Sequence, residues 1–383
     1  MPASPSLISL CLIGFVCFFA SYMRMPILPL FAVSIGADPA EVGLINASFM
    51  LTAGLLSIPF GLLSDRIGRR LPVAAGLLAL ACSSFLVALS RSPLQMAGAY
   101  LVFGAGLAAF APTMMSIIAD SAPAGRLAQS YGLYTTAVYS AMTFGPAAGG
   151  FIAAHAGLRQ VFLISGSILA LLFLAVPFLL PIAHAAGHRG SIIAALPSLA
   201  RNRPLVASLV MTLGSCFGFG MFVTFLPLHA GSIGLGPGRI GVIFAVQALV
   251  NALSRLPFGR LGDTSTDRGL LAAAGFALLA AGIAPLGLFT TLLPEAGCAA
   301  VIGIGMAIGF TTLGAILADS VQPTLRGLAM GMYNSCIYFG MMMSAAVMGP
   351  VVRRAGFGAG FLLGGGVTAG ATLVFFLLCR KKA

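Results

Sequence analysis

Charge is what this sequence has least of. Charged residues fill 7% of 383 positions against 59% hydrophobic, and the mean hydropathy is +1.06. A water-soluble globule carries about 25% charged residues because its surface must be solvated. A soluble body is therefore excluded, and the natural solvent of this chain is lipid. Acids are scarcer still, with 8 Asp+Glu against 20 Lys+Arg. All of them (Asp38, Glu41, Asp65, Asp120, Asp263, Asp267, Glu295, Asp319) fall in loops or at the ends of apolar runs. That leaves no mid-span carboxylate of the kind proton-coupled carriers commonly use. The 7 cysteines include no CxxC and have no histidine cluster beside them, which argues against a disulfide framework or a metal site. HxxxD, HExxH and a Ser-His-Asp set are also missing, so no catalytic residues and no cofactor are expected. The net charge of +12 sits in short loops and a basic tail, not on an aromatic-interleaved face. Nucleic-acid binding is excluded on that ground.

What is present is a succession of continuous apolar runs, which fit helices and not an alternating barrel pattern. A span needs about 20 apolar residues. Charged, Gly-Pro and Ser/Asp-rich breaks divide the chain into twelve: 7–31, 42–62, 71–89, 94–118, 129–154, 160–181, 204–230, 240–258, 270–292, 295–318, 328–351 and 357–378. The first run lacks a basic leader and is too long for a signal-peptide core, so it is expected to remain as a helix. Twelve spans put both termini on one side. Loops on that side hold thirteen cations (Arg66, Arg69, Arg70, Arg126, Arg189, Arg201, Arg203, Arg260, Arg268, Arg326, Arg380, Lys381, Lys382), and the opposite loops hold five. The excess predicts cytoplasmic termini in a multi-pass inner-membrane protein.

An offset of about 198 residues exposes a duplication. PLFAVSIGADPAEVG at 29–43 lies over PLHAGSIGLGPGRIG at 227–241, and IPFGLLSDRIGRR at 58–70 over LPFGRLGDTSTDR at 256–268. At 199, Gly104 and Gly106 meet Gly303 and Gly305, Asp120 meets Asp319, and Gly132, Tyr134 and Tyr139 meet Gly331, Tyr333 and Tyr338. A repeat of six spans keeps topology, which is the parallel arrangement of carriers that hold substrate near the midplane between halves. The expected architecture is an all-α membrane protein of two pseudo-symmetric six-helix bundles, 1–181 and 204–383. A cytoplasmic linker, 182–203, with His184, His188 and a short amphipathic stretch would join them.

Gly61-Leu-Leu-Ser-Asp65-Arg66-Ile-Gly68-Arg69-Arg70 resembles the signature loop of the major facilitator superfamily, repeated in eroded form around Asp263 and Arg268. The resemblance implies a conformational gate. In physical terms, Gly61 would permit close helix approach. The charged cluster at the membrane boundary would pair with the helix-end acids Asp120 and Asp319. Gly132, Ala141, Gly145-Pro146 and Gly149-Gly150 resemble the fifth-helix motif of that family's drug/proton antiporters. This implies a helix bent at Pro146, close small-residue packing, and export driven by a proton gradient. One departure stands out: the helix-four arginine usual in those antiporters is replaced here by Tyr100.

Arg24 lies within the first span, about 10 Å inside its outer end at 1.5 Å per residue. Such a charge must face a cavity or find acceptors. It can satisfy the carbonyls of Tyr22 and Met25 that Pro26 and Pro29 leave bare, or attract an anionic group on the substrate. With it, Asn46, Tyr139, Gln247, Asn251, Asn334 and Tyr338 are the candidate cavity residues. Arg255 reads as structural, within reach of water or Asp263. His229, near the outer end of span seven, reads as a poor proton carrier. The expected function is a monomeric secondary carrier in the lipid bilayer with a small-molecule substrate, exporting hydrophobic or amphiphilic compounds. An organic-anion or metabolite uptake or exchange carrier of the same fold is the alternative.

Overall fold

The computed structural model describes residues 6–123, 126–180, 199, 201–264, 267–322 and 326–380. The linker reading, with His184 and His188, falls almost wholly outside them. Twelve α-helices are present among the described residues: α1 Leu7–Met23, α2 Ile27–Ser34, α3 Pro39–Ile67, α4 Arg70–Leu89, α5 Pro93–Ser121, α6 Leu127–Ala156, α7 Leu158–Leu179, α8 Arg203–Ser232, α9 Pro237–Thr264, α10 Arg268–Ile283, α11 Leu292–Asp319 and α12 Arg326–Arg380.

Their starts are written locally. Ser92, Asn202 and Asp267 accept hydrogen bonds from the N–H groups of Gln95, Leu205 and Leu270, capping α5, α8 and α10. Asp38 and Glu41 form a reciprocal capping box on α3, each side chain 2.9 Å from the other's N–H. Two breaks depart from the twelve-run reading. The first run is interrupted at Arg24–Pro26, because Pro26 and Pro29 cannot donate and the turn closes on the Tyr22 and Arg24 carbonyls. The 55-residue α12 contains two spans that meet at Gly356, whose φ of 81° is unfavourable for any residue with a Cβ. Gly157, at φ 99°, occupies the equivalent turn of the first half, 199 positions earlier.

Ten helical stretches are long and apolar enough to cross a membrane. Counting both parts of α12 separately and adding the 30-residue α6 gives twelve spans among the described residues. Large apolar side chains such as Phe178, 90% exposed, face outward, as lipid-facing positions should.

Two compact units organise the chain. One contains 1–37, 48–188 and 236–245; the other contains 38–47, 189–235 and 246–383. The repeat read from sequence reappears inside them as repeated packing. A Cβ on Gly76 or Gly106 would press on the facing helix, where Gly106 and Leu80 leave no room, and Gly275, Gly305 and Leu279 repeat this 199 positions later. Gly104 abuts the backbone of Phe49 and Ala53, as Gly303 abuts that of Gln247 and Asn251. Small residues are needed where apolar helices must touch without a hydrophobic driving force.

Candidate functional site

At one end of each unit an arginine just after a helix break reaches the acid that ends a neighbouring helix. Gly68, at φ 89°, turns the chain between α3 and α4. Arg69 then donates through Nε to Asp120 Oδ2 at 3.1 Å and through Nη1 to the fully buried Ser64 Oγ at 3.0 Å. In the second unit Arg268 Nη1 lies 2.8 Å from Asp319 Oδ2. Both partners are shifted by 199 positions, so the pair belongs to the repeat. The aspartates are more than half exposed, at 53% and 63%. Such pairs add little stability, typically below about 1 kcal/mol, and suit a contact that must be broken and remade. Arg70 opens α4. The side chains of Asp65, Arg66 and Asp263 lie outside the described residues.

Two glycine roles need correction. No described atom lies within 4 Å of where a Cβ would stand on Gly61 or Gly132. Neither is a point of close approach among the described residues, whereas Gly76, Gly104 and Gly106 are. The other glycines of the α6 motif lie against neighbouring backbone. Gly145 packs on the backbone of Phe19 and Met23, and a Cβ on Gly149 would overlap the Met23 carbonyl. Gly150 meets the backbone of Pro237 and Gly241 instead. α6 continues as one helix through Pro146.

Arg24 is buried, with 1% of its surface exposed, and does not open onto a cavity in this conformation. The Tyr22 carbonyl is already taken by the N–H groups of Arg24 and Met25, so the guanidinium is not needed there. Instead Nη1 donates to Ser84 Oγ at 2.8 Å, and Cζ sits 3.5 Å from the centre of the Phe103 ring and 5.3 Å from that of Tyr100. Ser165, itself bound to the Ala20 carbonyl at 2.7 Å, completes a small polar nest. Nε and Nη2 have no hydrogen-bond partner among the described residues. Aromatic faces attract a cation but do not neutralise it.

The other cavity candidates divide between the units. Tyr139 is half-buried in the first. Gln247 Nε2 approaches Met306 Sδ at 3.3 Å, and Asn251 Oδ1 accepts from Arg255 Nε at 2.8 Å, both in the second. Arg255 thus spends one donor on its own helix. Asn46 is buried, Tyr338 half-buried and Asn334 exposed. An apolar groove of about 540 Å³, lined by Phe19, Phe144, Phe151, His155, Gly238 and Val242, contains none of the candidates.

One buried pairing has no forerunner in the sequence reading. His229 Nε2 lies 3.1 Å from Glu295 Oε1 and 3.1 Å from the Phe289 carbonyl oxygen. Glu295 is 0% exposed although it stands in the first turn of α11. The repeat holds the signal that would have found the pair: the same positions in the first half are Phe31 and Met96.

Asp38 answers a different expectation. The Glu41 N–H, and after it the Arg353 guanidinium at 2.8 Å, hold its carboxyl below the ordinary carboxylate range. A depressed group stabilises above its unfolded value of about 4 and loses that contribution only as pH falls through the lower folded value. Asp38 therefore stays charged throughout the neutral range. Asp38→Asn is expected to leave the pH profile of transport unshifted between about pH 5 and 8, as measured by flux in vesicles.

A helical membrane protein with a parallel six-span repeat, and the same helix-end ion pair in each half, is a carrier in architecture. The profile of the Major Facilitator Superfamily matches residues 10–236 and 208–383, and the chain belongs to that superfamily. It is a membrane transporter and not an enzyme. Relatives include an uncharacterized MFS-type transporter of Methanocaldococcus jannaschii, 24% identical over 331 residues and 85% of each chain. The quinolone resistance protein NorA of Staphylococcus aureus is 24% identical over 247 residues, 64% of this chain and 63% of that protein. Among solved structures, a bacterial homologue of the human lysosomal transporter Spinster superposes with a TM-score of 0.80 at 16% identity, covering 98% of this chain and 96% of that one. A point mutant of the nucleoside transporter NupG gives 0.77 at 18%, covering 98% and 100%.

Proposed function

We propose that this transporter exports hydrophobic or amphiphilic small molecules by alternating access, driven by the proton gradient and without a cofactor. The bundles 1–181 and 204–383 rock about the 182–203 linker. The protein works as a monomer in the inner membrane with both termini in the cytoplasm. The observation that carries the export reading is α6. The helix that resembles the antiporter motif is also the one whose Gly145 and Gly149 lie backbone to backbone on α1. Similarity to NorA over part of the chain agrees with it. The test is reconstitution in vesicles with an imposed pH gradient and ethidium as probe. Gradient-dependent ethidium movement is expected; its absence, with exchange of organic anions indifferent to pH, would overturn the reading.

Arg24 favours the second reading, an organic-anion or metabolite carrier, because two of its buried donors have no acceptor among the described residues. On that reading Arg24→Ala is expected to lower anion flux more than tenfold, since a lost charge-assisted hydrogen bond costs about 1.5–3 kcal/mol. Ethidium flux would hardly change. Unaltered anion kinetics in both Arg24→Ala and Arg24→Glu would end the idea of contact.

A further inference from the structure

The two halves share their glycine contacts and their helix-end ion pairs, so places where they differ in buried polarity are not demanded by the fold. His229 and Glu295 are such a place. Their counterparts, Phe31 at offset 198 and Met96 at offset 199, are also buried. Phe31 packs there against Phe162, the rings tilted by 35° with centres 5.4 Å apart. Apolar side chains thus occupy both positions in one half, while the other carries an acid and an imidazole that burial makes costly.

We propose that His229 and Glu295 form a proton-binding site of the carrier. Nε2 of His229 faces two acceptors, Glu295 Oε1 and the Phe289 carbonyl, so it carries a hydrogen. Oε2 of Glu295 is buried without a hydrogen-bond partner among the described residues. With one further proton, on Oε2 or on His229 Nδ1, the pair is neutral overall. Without it, the pair holds a full negative charge with one oxygen unsatisfied. The surroundings make that difference large. Phe357 and Phe361 lie beside the imidazole, the first tilted and the second edge-on, with ring centres 5.4 and 5.9 Å away. The thiol of Cys298, one turn further along α11, also lies within electrostatic reach of Glu295. No arginine or lysine is bonded to the pair among the described residues.

The position suits coupling. Glu295 stands in the first turn of α11 and Asp319 at its last residue. At 1.5 Å per residue they are about 36 Å apart, so the proton would bind at one end of a helix whose other end holds the Arg268 ion pair. Occupancy of the pair can bias that helix only if the two conformations of the carrier bind the proton unequally. Proton binding itself stands on the geometry; its coupling to cargo rests on the exporter reading above.

Infrared titration of the reconstituted protein separates the two. A protonated-carboxyl band that varies with pH is expected in the wild type, is lost in Glu295→Gln, and titrates with a moved midpoint in His229→Phe. A titration unaffected by Glu295→Gln would overturn the site. His229→Phe/Glu295→Met restores the residues of the first half and is expected to fold. In vesicles loaded with ethidium it should still move the dye down its own gradient, at a rate that no longer varies with pH. For one proton per cargo, each pH unit supports about tenfold accumulation, and the double variant should show none. Undiminished pH-driven accumulation in that variant would also overturn the proposal. If the wild type moves no ethidium, the exporter reading fails and the infrared result alone decides the proton site.

Discussion

Replacing Arg69 and Arg268 together by alanine is expected to reduce transport by up to about 30-fold while leaving the protein in the membrane. Each exposed ion pair is worth at most about 1 kcal/mol, and 1.4 kcal/mol is a factor of ten in an equilibrium. The two pairs act in the same sense because they occupy equivalent places in the repeat, Arg69 with Asp120 and Arg268 with Asp319. Losing both therefore shifts the balance between conformers by about 2 kcal/mol, and stability should change by no more than that. Single variants should lose less, with Arg69→Ala the worse of the two because it also strips Ser64, buried at 0% exposure, of a donor. Reversing the first pair, Arg69→Asp with Asp120→Arg, should recover part of the flux. Ethidium flux in vesicles measures the first effect and thermal unfolding in detergent the second. Full flux in the double alanine variant would remove the pairs from the mechanism.

Gly149→Val should be the most damaging single change to stability, and Gly132→Ala in the same helix should be harmless. A Cβ on Gly149 falls on the backbone of Met23, which belongs to α1 and cannot turn aside as a side chain would. Overpacking of this kind costs about 1–3 kcal/mol and sometimes more. Here the clash is with main chain, and the upper end is expected. Gly132 has open space around it, so alanine there should be neutral or add about 0.5–1 kcal/mol by restricting the unfolded chain and favouring the helix. Thermal unfolding of the two variants beside the wild type decides the matter. A stable Gly149→Val would mean that α6 does not hold α1 through this contact.

The helices and their repeat could be read in advance because lipid allows few solutions. A continuous apolar run at low charge has to be a helix, since every backbone donor must be satisfied within the segment. Duplicated motifs then carry duplicated packing, and Gly104 and Gly303 could be paired before their neighbours were known. The site was less legible. Arg24 reads as a charge that must face a cavity or find acceptors, and which acceptor it finds, Ser84 beside the ring of Phe103, far along the chain, was not legible. Gly61 and Gly132 read as contact points because their motifs contain small residues, but a motif does not say which face of a helix meets a neighbour.

Sequence alone determined the membrane class, the twelve spans and the duplication, because these follow from local hydrophobicity and from self-similarity along the chain. Tertiary structure decided which polar groups are buried and which meet. Glu295 looked like one more acid at a helix end until α8 laid His229 against it. Burial and pairing arise between segments 60 or more residues apart, and no local pattern records that distance.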